Sequence, residues 1–176
     1  MADKYEDGEV MVRRATRDDM KAVAEMIQEL ADLEEMSDGP KLSVQDLQRD
    51  GFDLQPPAFL CLVAEVNKDG APLVAGYALY FPVYSTWMGR TMMLEDLYVR
   101  ASERRRGLGH RLFNAVAREA HLMGSPRLDF HVLEWNKNAR DFYDLKGAIN
   151  ITQTEKWCYY RLSGDALEKV ALTAKS

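Results

Sequence analysis

Two carboxylates, Glu95 and Asp96, interrupt an otherwise apolar run at residues 92–99, and a basic turn ending in Gly107-Leu108-Gly109 follows shortly after. A carboxylate near the end of a strand can accept a proton or hold a cation. On position alone, Glu95 reads equally as a solvated edge residue or as half of an ion pair. Leu108, Leu112, Ala115, Val116 and Ala120 then recur at spacings of three and four, which predicts a helix opening at the glycines. Strand, basic glycine turn and helix together suit an anion. The first helical turn has unpaired N–H groups and a partial positive charge, and glycines let an anion approach the backbone closely. The run is not a nucleotide P-loop, because no G-x-x-x-x-G-K-[ST] is present. It is not a dinucleotide fingerprint either, because Leu112 stands where a third glycine is needed. A turn that merely uses glycines between strand and helix is the competing reading.

The elements that must position these residues follow from periodicity and punctuation. Residues 1–9 are acidic and polar and are expected to form a disordered tail, with one domain over 10–176. A strand is predicted at 10–14. Thr16 is a good N-cap for a helix through Met20, Val23, Ala24, Ile27, Leu30 and Ala31, ending near Glu35. Ser43 opens a second short helix that stops at Gly51. Strands are predicted at 59–66 and 73–84 around a Lys68-Asp69-Gly70 hairpin turn, then at 91–99, with a loop bearing Trp87 between the last two. The glycine helix spans 107–123. A strand at 127–133 follows. Asn136 then caps a helix that carries Ala139, Phe142, Tyr143 and Leu145 and closes at Gly147. Residues 149–152 and 157–162 read as a closing pair of strands, and a last helix runs from Ser163 to about Ala174. A meander of strands followed by strand–helix–strand–helix implies an α/β (α+β) architecture: a mixed central sheet of about seven strands with helices on both faces.

Composition narrows the function. The chain has 176 residues, 47% hydrophobic and 29% charged, with a net charge of −5, which is ordinary globular composition and argues against a general nucleic-acid binder. An acidic chain is consistent with a cationic small-molecule substrate. No apolar run approaches the ~20 residues of a membrane helix. The N-terminus does not read as a signal peptide, and Cys61 and Cys158 read as buried free thiols, so a cytoplasmic setting is expected. His110, His121 and His131 lack ligand spacing, and no metal is expected.

The motif Arg104-x-x-Gly107-x-Gly109 after an acidic strand resembles the acetyl-CoA-binding segment of the GNAT N-acetyltransferases, and the predicted element order matches the GNAT fold along nearly its whole length. Further runs sharpen the resemblance. They are Tyr84-Ser85-Thr86-Trp87 with Gly89-Arg90-Thr91, Leu94-Glu95-Asp96-Leu97-Tyr98-Val99, Glu134-Trp135-Asn136, Phe142-Tyr143 with Gly147-Ala148, and Glu155-x-Trp157. In order and spacing they resemble the spermidine/spermine (diamine) acetyltransferase group over residues 10–172, closer to its thialysine N-epsilon-acetyltransferase branch. The polyamine-specific branch carries Asp where Ser85 stands. Two departures stand out. Arg105 occupies a position where the family usually has Gly, and Leu33 one where it tends to have an aromatic residue.

The resemblance implies an acetyl-CoA-dependent enzyme that acetylates the primary amine of a small cationic substrate by direct transfer, with sites near a homodimer interface. An alkylammonium has a pKa of about 10.4, so only about one molecule in ~2,500 is nucleophilic near pH 7. The resemblance gives the task of binding and deprotonating it to Glu95. It gives the role of acid toward the leaving thiolate to Tyr143, which would otherwise read as a half-buried helix aromatic. Leu97, Tyr98, Val99, Arg104, Arg105, Arg106, Gly107, Leu108, Gly109, His110, Asn136, Ala139 and Tyr143 are the expected cofactor residues. Leu33, Glu34, Trp87, Glu95, Asp96 and Glu155 are the expected substrate residues. Asn136 is also accounted for as a plain N-cap, and Glu34 and Glu155 as solvated surface. Neither cysteine lies in the motif set, which disfavours an acyl-cysteine. The rival functions are a protein lysine or N-terminal acetyltransferase and a non-catalytic CoA- or amine-binding protein.

Overall fold

The computed structural model describes residues 5–7 and 10–173, with side chains from residue 10 onward. The chain divides into two compact units, residues 1–133 and 134–176. The first contains β1 (Tyr5–Asp7), β2 (Val10–Arg14), α1 (Met20–Leu33), α2 (Val44–Gln48), β3 (Leu60–Lys68), β4 (Ala71–Ser85), β5 (Gly89–Val99), α3 (Leu108–Leu122) and β6 (Leu128–Phe130). The strands form one sheet in the order β1-β2-β3-β4-β5-β6. All neighbours are antiparallel except β5 and β6, which run parallel across the α3 crossover. The mixed sheet is as expected, but it has six strands, not seven. Tyr5–Asp7 pairs with Val10–Arg14, so part of the segment expected as a disordered tail belongs to the sheet. The other residues of 1–9 lie outside the described ones.

The local signals that start these elements hold, but Gly51 does not stop the second helix, which continues as a π-helical turn over Arg49–Asp53. The Thr16 N–H and hydroxyl both donate to Asp19 Oδ2, at 2.7 and 2.8 Å, ahead of α1. Ser43 and Asp46 make the reciprocal pair at α2. Asp69 and Gly70 take φ of 53° and 82°, the left-handed pair a tight hairpin needs. Helices cover both faces of the sheet. Met20, Val23 and Met26 of α1 and Leu47 of α2 pack on Cys61, Val63, Tyr77, Leu79 and Tyr98. The opposite face meets α3, which buries Leu108, Leu112 and Val116. Gly76 allows that approach. A Cβ there would lie 2.8 Å from the Tyr98 carbonyl oxygen and 3.2 Å from Leu112 Cδ1.

The turn from β5 into α3 is built around a buried charge. Glu103, 5% exposed, accepts from Lys68 Nζ at 3.2 Å and from the Arg106 guanidinium at 2.7 Å. The two cations hold its carboxyl below the usual carboxylate range. Arg104 folds back, its Nε donating to the Val99 carbonyl at 2.9 Å and its guanidinium lying 5.3 Å from the Tyr98 ring centre. Arg105 has φ of 65° and Gly107 of 79°. A left-handed backbone at residue 105 is the physical reason a glycine suits that position in related loops.

The second unit holds α4 (Lys137–Asp144), α5 (Ile151–Glu155) and α6 (Gly164–Thr173). The expected closing strands are not there: Ile151–Glu155 is helical, and residues 156–163 form no regular element. A strand needs a partner to pair its backbone, and 157–162 has none among the described residues. Its apolar side chains stay outside, Trp157 64% and Tyr160 88% exposed. Cys158 is exposed too, against the expectation of a buried thiol, whereas Cys61 is buried.

Three substitutions at two positions test this packing. Gly76→Ala should lower unfolding free energy by about 1–3 kcal/mol, because the methyl meets a backbone oxygen that cannot move aside; an unchanged urea midpoint would contradict the close approach. At the left-handed position, Arg105→Val should cost about 1–2 kcal/mol. Arg105→Gly should be near neutral, released strain offsetting added chain entropy. Equal melting temperatures for the two variants would count against the strained turn.

Candidate active site

The site begins with an irregularity in β5. Leu94 pairs with Tyr80 and Asp96 with Leu79, so Glu95 has no opposite number in β4 and forms a bulge. Side chains alternate along a strand, so in a regular, unbulged strand Asp96 would share the α3 face with Leu94. The bulge turns it to the α1 face instead. There Tyr77, the residue fully enclosed in the α1 core, donates its hydroxyl to Asp96 Oδ2 at 2.9 Å. Glu95 itself is exposed.

Asp96 is surrounded by negative or neutral groups. Burial drives its carboxyl up to about 6, the Glu95 and Glu34 charges add to the rise, and the Tyr77 hydrogen bond opposes it. Burial also raises the Glu34 carboxyl. Glu34 follows the last turn of α1, its N–H donating to the Leu30 carbonyl at 3.0 Å. The helix is fixed from its solvent side by Arg100, just past β5, which pairs with Glu25 at 3.0 Å and with Glu29. Glu34 and Glu95 thus both act on Asp96.

Other expected residues go elsewhere. Trp87 is 83% exposed at the β4–β5 hairpin tip, where Ser85 Oγ accepts from the Trp87 and Met88 N–H groups, each at 3.2 Å. Six strand positions separate Gly89 from Glu95, roughly 20 Å at the usual rise, so within one chain Trp87 is no wall of the carboxylate group. Leu33 is 42% exposed next to Glu34.

Beyond the carboxylates, β5 becomes an open edge. β6 pairs only with Met92, Met93 and Leu94. Past Leu94, no described strand lies on that side, which leaves main-chain N–H groups near Leu97, Tyr98 and Val99 available. The turn then delivers the start of α3. Arg111 is the first residue to donate to the carbonyl of Gly107, at 3.1 Å. The preceding N–H groups of Leu108 and Gly109 stand in the first helical turn, ahead of that bond. A Cβ on Gly107 would meet nothing within 4 Å, so the backbone there faces open space. The side chains of Arg104 and Arg106 bend inward to Val99 and Glu103, so the turn offers an anion chiefly main chain. Glu103 and Tyr77 are the residues that sequence reasoning missed. A lone Glu in a polar turn and a Tyr in an apolar strand carry no signal of their own.

In the second unit, Asn136 Oδ1 accepts from the Ala139 N–H at 3.1 Å, the N-cap its position predicts. The other end of α4 closes with Gly147 N–H to Asp144 at 2.9 Å and Ala148 N–H to Tyr143 at 3.1 Å, around Gly147 at φ of 82°. This double bond fixes the turn that bears Tyr143. The Tyr143 ring stands edge-on to Phe142 at 5.0 Å, and burial pushes its phenol up to about 12. Glu155 is exposed and accepts from Trp157 Nε1 at 2.7 Å, so its carboxylate is already engaged beside an aromatic residue.

Comparison with known proteins agrees with this geometry. The acetyltransferase (GNAT) family matches residues 24–147. The thialysine N-epsilon-acetyltransferase of Bos taurus is 40% identical over 166 residues, covering 92% of this chain and 97% of that protein. The spermidine/spermine N(1)-acetyltransferase-like protein 1 of Homo sapiens is 32% identical over 91% of this chain and 23% of its own length. Among solved structures, an integron cassette protein from the mobile metagenome of V. cholerae superposes with a TM-score of 0.70 at 26% identity, over 95% of this chain and 98% of that one. With a mixed sheet bulged at an acidic pair and opening onto a glycine turn, and with relatives matched along nearly its full length, this chain belongs to the GNAT acetyltransferase family.

Proposed function

We propose that this protein transfers the acetyl group of acetyl-CoA directly to the primary amine of a small cationic acceptor of the thialysine, lysine or short diamine kind. The observation that carries the reading is the β5 bulge, which gathers Glu95 and Asp96 with Glu34 a few residues before the open glycine turn. The thialysine N-epsilon-acetyltransferase relative, at 40% identity, supports the choice of acceptor. So does Ser85, whose neutral hydroxyl is spent on the hairpin turn.

The turn fits a pyrophosphate: Gly107 is open, and the N–H groups of Leu108 and Gly109 stand at a helix N-terminus, with His110 beside them as an expected cofactor residue. When bound, acetyl-CoA supplies the acyl group as an activated thioester. In this reading Glu95 accepts the ammonium proton, directly or through water, while Asp96 and Glu34 hold the cationic end. N–H groups on the open edge of β5 stabilise charge developing on the acyl oxygen. Tyr143, kept protonated by burial, gives its proton to the sulfur as the C–S bond breaks. A thiolate whose thiol titrates near ~8.5 is a weaker base than the phenolate, so the donor contributes by its position and not by its acidity, and the phenolate is reprotonated from solvent as CoA leaves. Asn136 and Ala139 line the cofactor, Glu155 and Leu33 border the substrate, and the protein works in the cytoplasm as a homodimer. The exposed apolar run at 157–162 supports the last point.

Glu95→Gln and Tyr143→Phe should each lower kcat about a hundredfold or more while leaving the thermal midpoint within a few degrees. Near-normal rates in both folded variants would remove the assigned roles. The Tyr143 phenol sits near 12, so its ionisation should not depress kcat up to pH 10. A falling limb below that pH that disappears in Tyr143→Phe would contradict the buried acid.

A further inference from the structure

We propose that Tyr77 is a positioning residue of the amine site, its core-anchored hydroxyl fixing Asp96 as the carboxylate that receives the acceptor's ammonium group. The inference rests on the acetyl-transfer reading above and extends it to a residue that touches neither substrate nor cofactor. Tyr77 lies on β4 opposite Tyr98, wholly enclosed by the α1 core, and its hydroxyl donates to Asp96 Oδ2 at 2.9 Å. An enclosed phenol cannot rotate to solvent, so it fixes one carboxylate oxygen and leaves the other for a second partner.

The surroundings say what that partner is. The titratable groups acting on Asp96 are Glu95 on its own strand, Tyr77 on β4, Glu34 after α1 and the Cys61 thiol on β3. None is a cation. Burial pushes Asp96 up to about 6 and lifts Glu34 as well, so this cluster carries unpaid negative charge next to the proposed base. A buried carboxylate costs free energy until a cation pairs with it. An ammonium group supplies that pairing, and the Tyr77 bond is the one contact that already favours the charged form. Without the hydroxyl, Asp96 should take up a proton nearer neutral pH and lose its hold on the acceptor.

Tyr77→Phe removes only the oxygen and should fold. The test is carboxyl carbon NMR of Asp96, together with steady-state kinetics on thialysine between pH 6 and 9. The Asp96 midpoint in Tyr77→Phe should rise by about one unit from the wild-type value. The KM for thialysine should rise about threefold at pH 6.5 and return to the wild-type value at pH 9, with kcat and the KM for acetyl-CoA changed less than about 1.5-fold. Asp96→Asn should raise the same KM at every pH. An unmoved Asp96 midpoint, or a KM defect equal at pH 6.5 and 9, overturns the proposal. Should the wild type transfer acetyl to no amine, the acetyl-transfer reading fails by itself. The Tyr77 proposal is then decided by whether, at pH 6.5, the thialysine concentration that half-shifts the Asp96 resonance is about threefold higher in Tyr77→Phe than in the wild type; equal concentrations overturn it.

Discussion

One extra residue in β5 governs the active half of this molecule. A regular strand would send Glu95 and Asp96 to opposite faces, one toward α1 and one under α3. The bulge at Glu95 resets the alternation and puts Asp96 against Tyr77 on the α1 side. It does so just beyond the last residue paired with β6, where the strand edge is already open. Two needs of acyl transfer to an amine, negative charge for the ammonium and N–H donors for the acyl oxygen, thus arise from one backbone irregularity and the shortness of one neighbouring strand.

The rest of the first unit holds that strand in place. Gly76 lets β4 slide under the Tyr98 carbonyl and lets α3 seat Leu112 against it. Arg100 anchors α1 through Glu25 and Glu29, which fixes where Glu34 emerges. The turn into α3 is stiffened by buried Glu103, gripped by Lys68 and Arg106, and by Arg104 bent over Tyr98. Arg104 and Arg106 engage Val99 and Glu103 and so shape this backbone. Arg105 pays for the turn with a left-handed backbone that glycine would adopt freely.

Much of this was legible in the residues. The amphipathic period of 108–120, the Thr16 and Ser43 caps, the Asp69-Gly70 turn and the Gly107-x-Gly109 opening all encode local structure, and each produced the element expected. What was not legible depends on pairing across the sheet. Register decides that Glu95 is the bulged residue, and register is a property of two strands. Tyr77 became part of the site only because β4 sets it opposite Tyr98, diagonal to the reoriented Asp96 on the same face. The run at 157–162 has the alternation of a strand, yet alternation supplies no partner, and the segment stays irregular and exposed. Trp87 was placed in the site by resemblance, and strand length carries it far up the hairpin instead.

The measurement closest to the central claim is thiol release from acetyl-CoA with thialysine, lysine, putrescine, spermidine and a lysine-containing peptide run in parallel. The account predicts turnover that is strong on thialysine or lysine, weaker on the polyamine and negligible on the peptide. Turnover confined to the peptide, or bound acetyl-CoA with no thiol released on any amine, would contradict it.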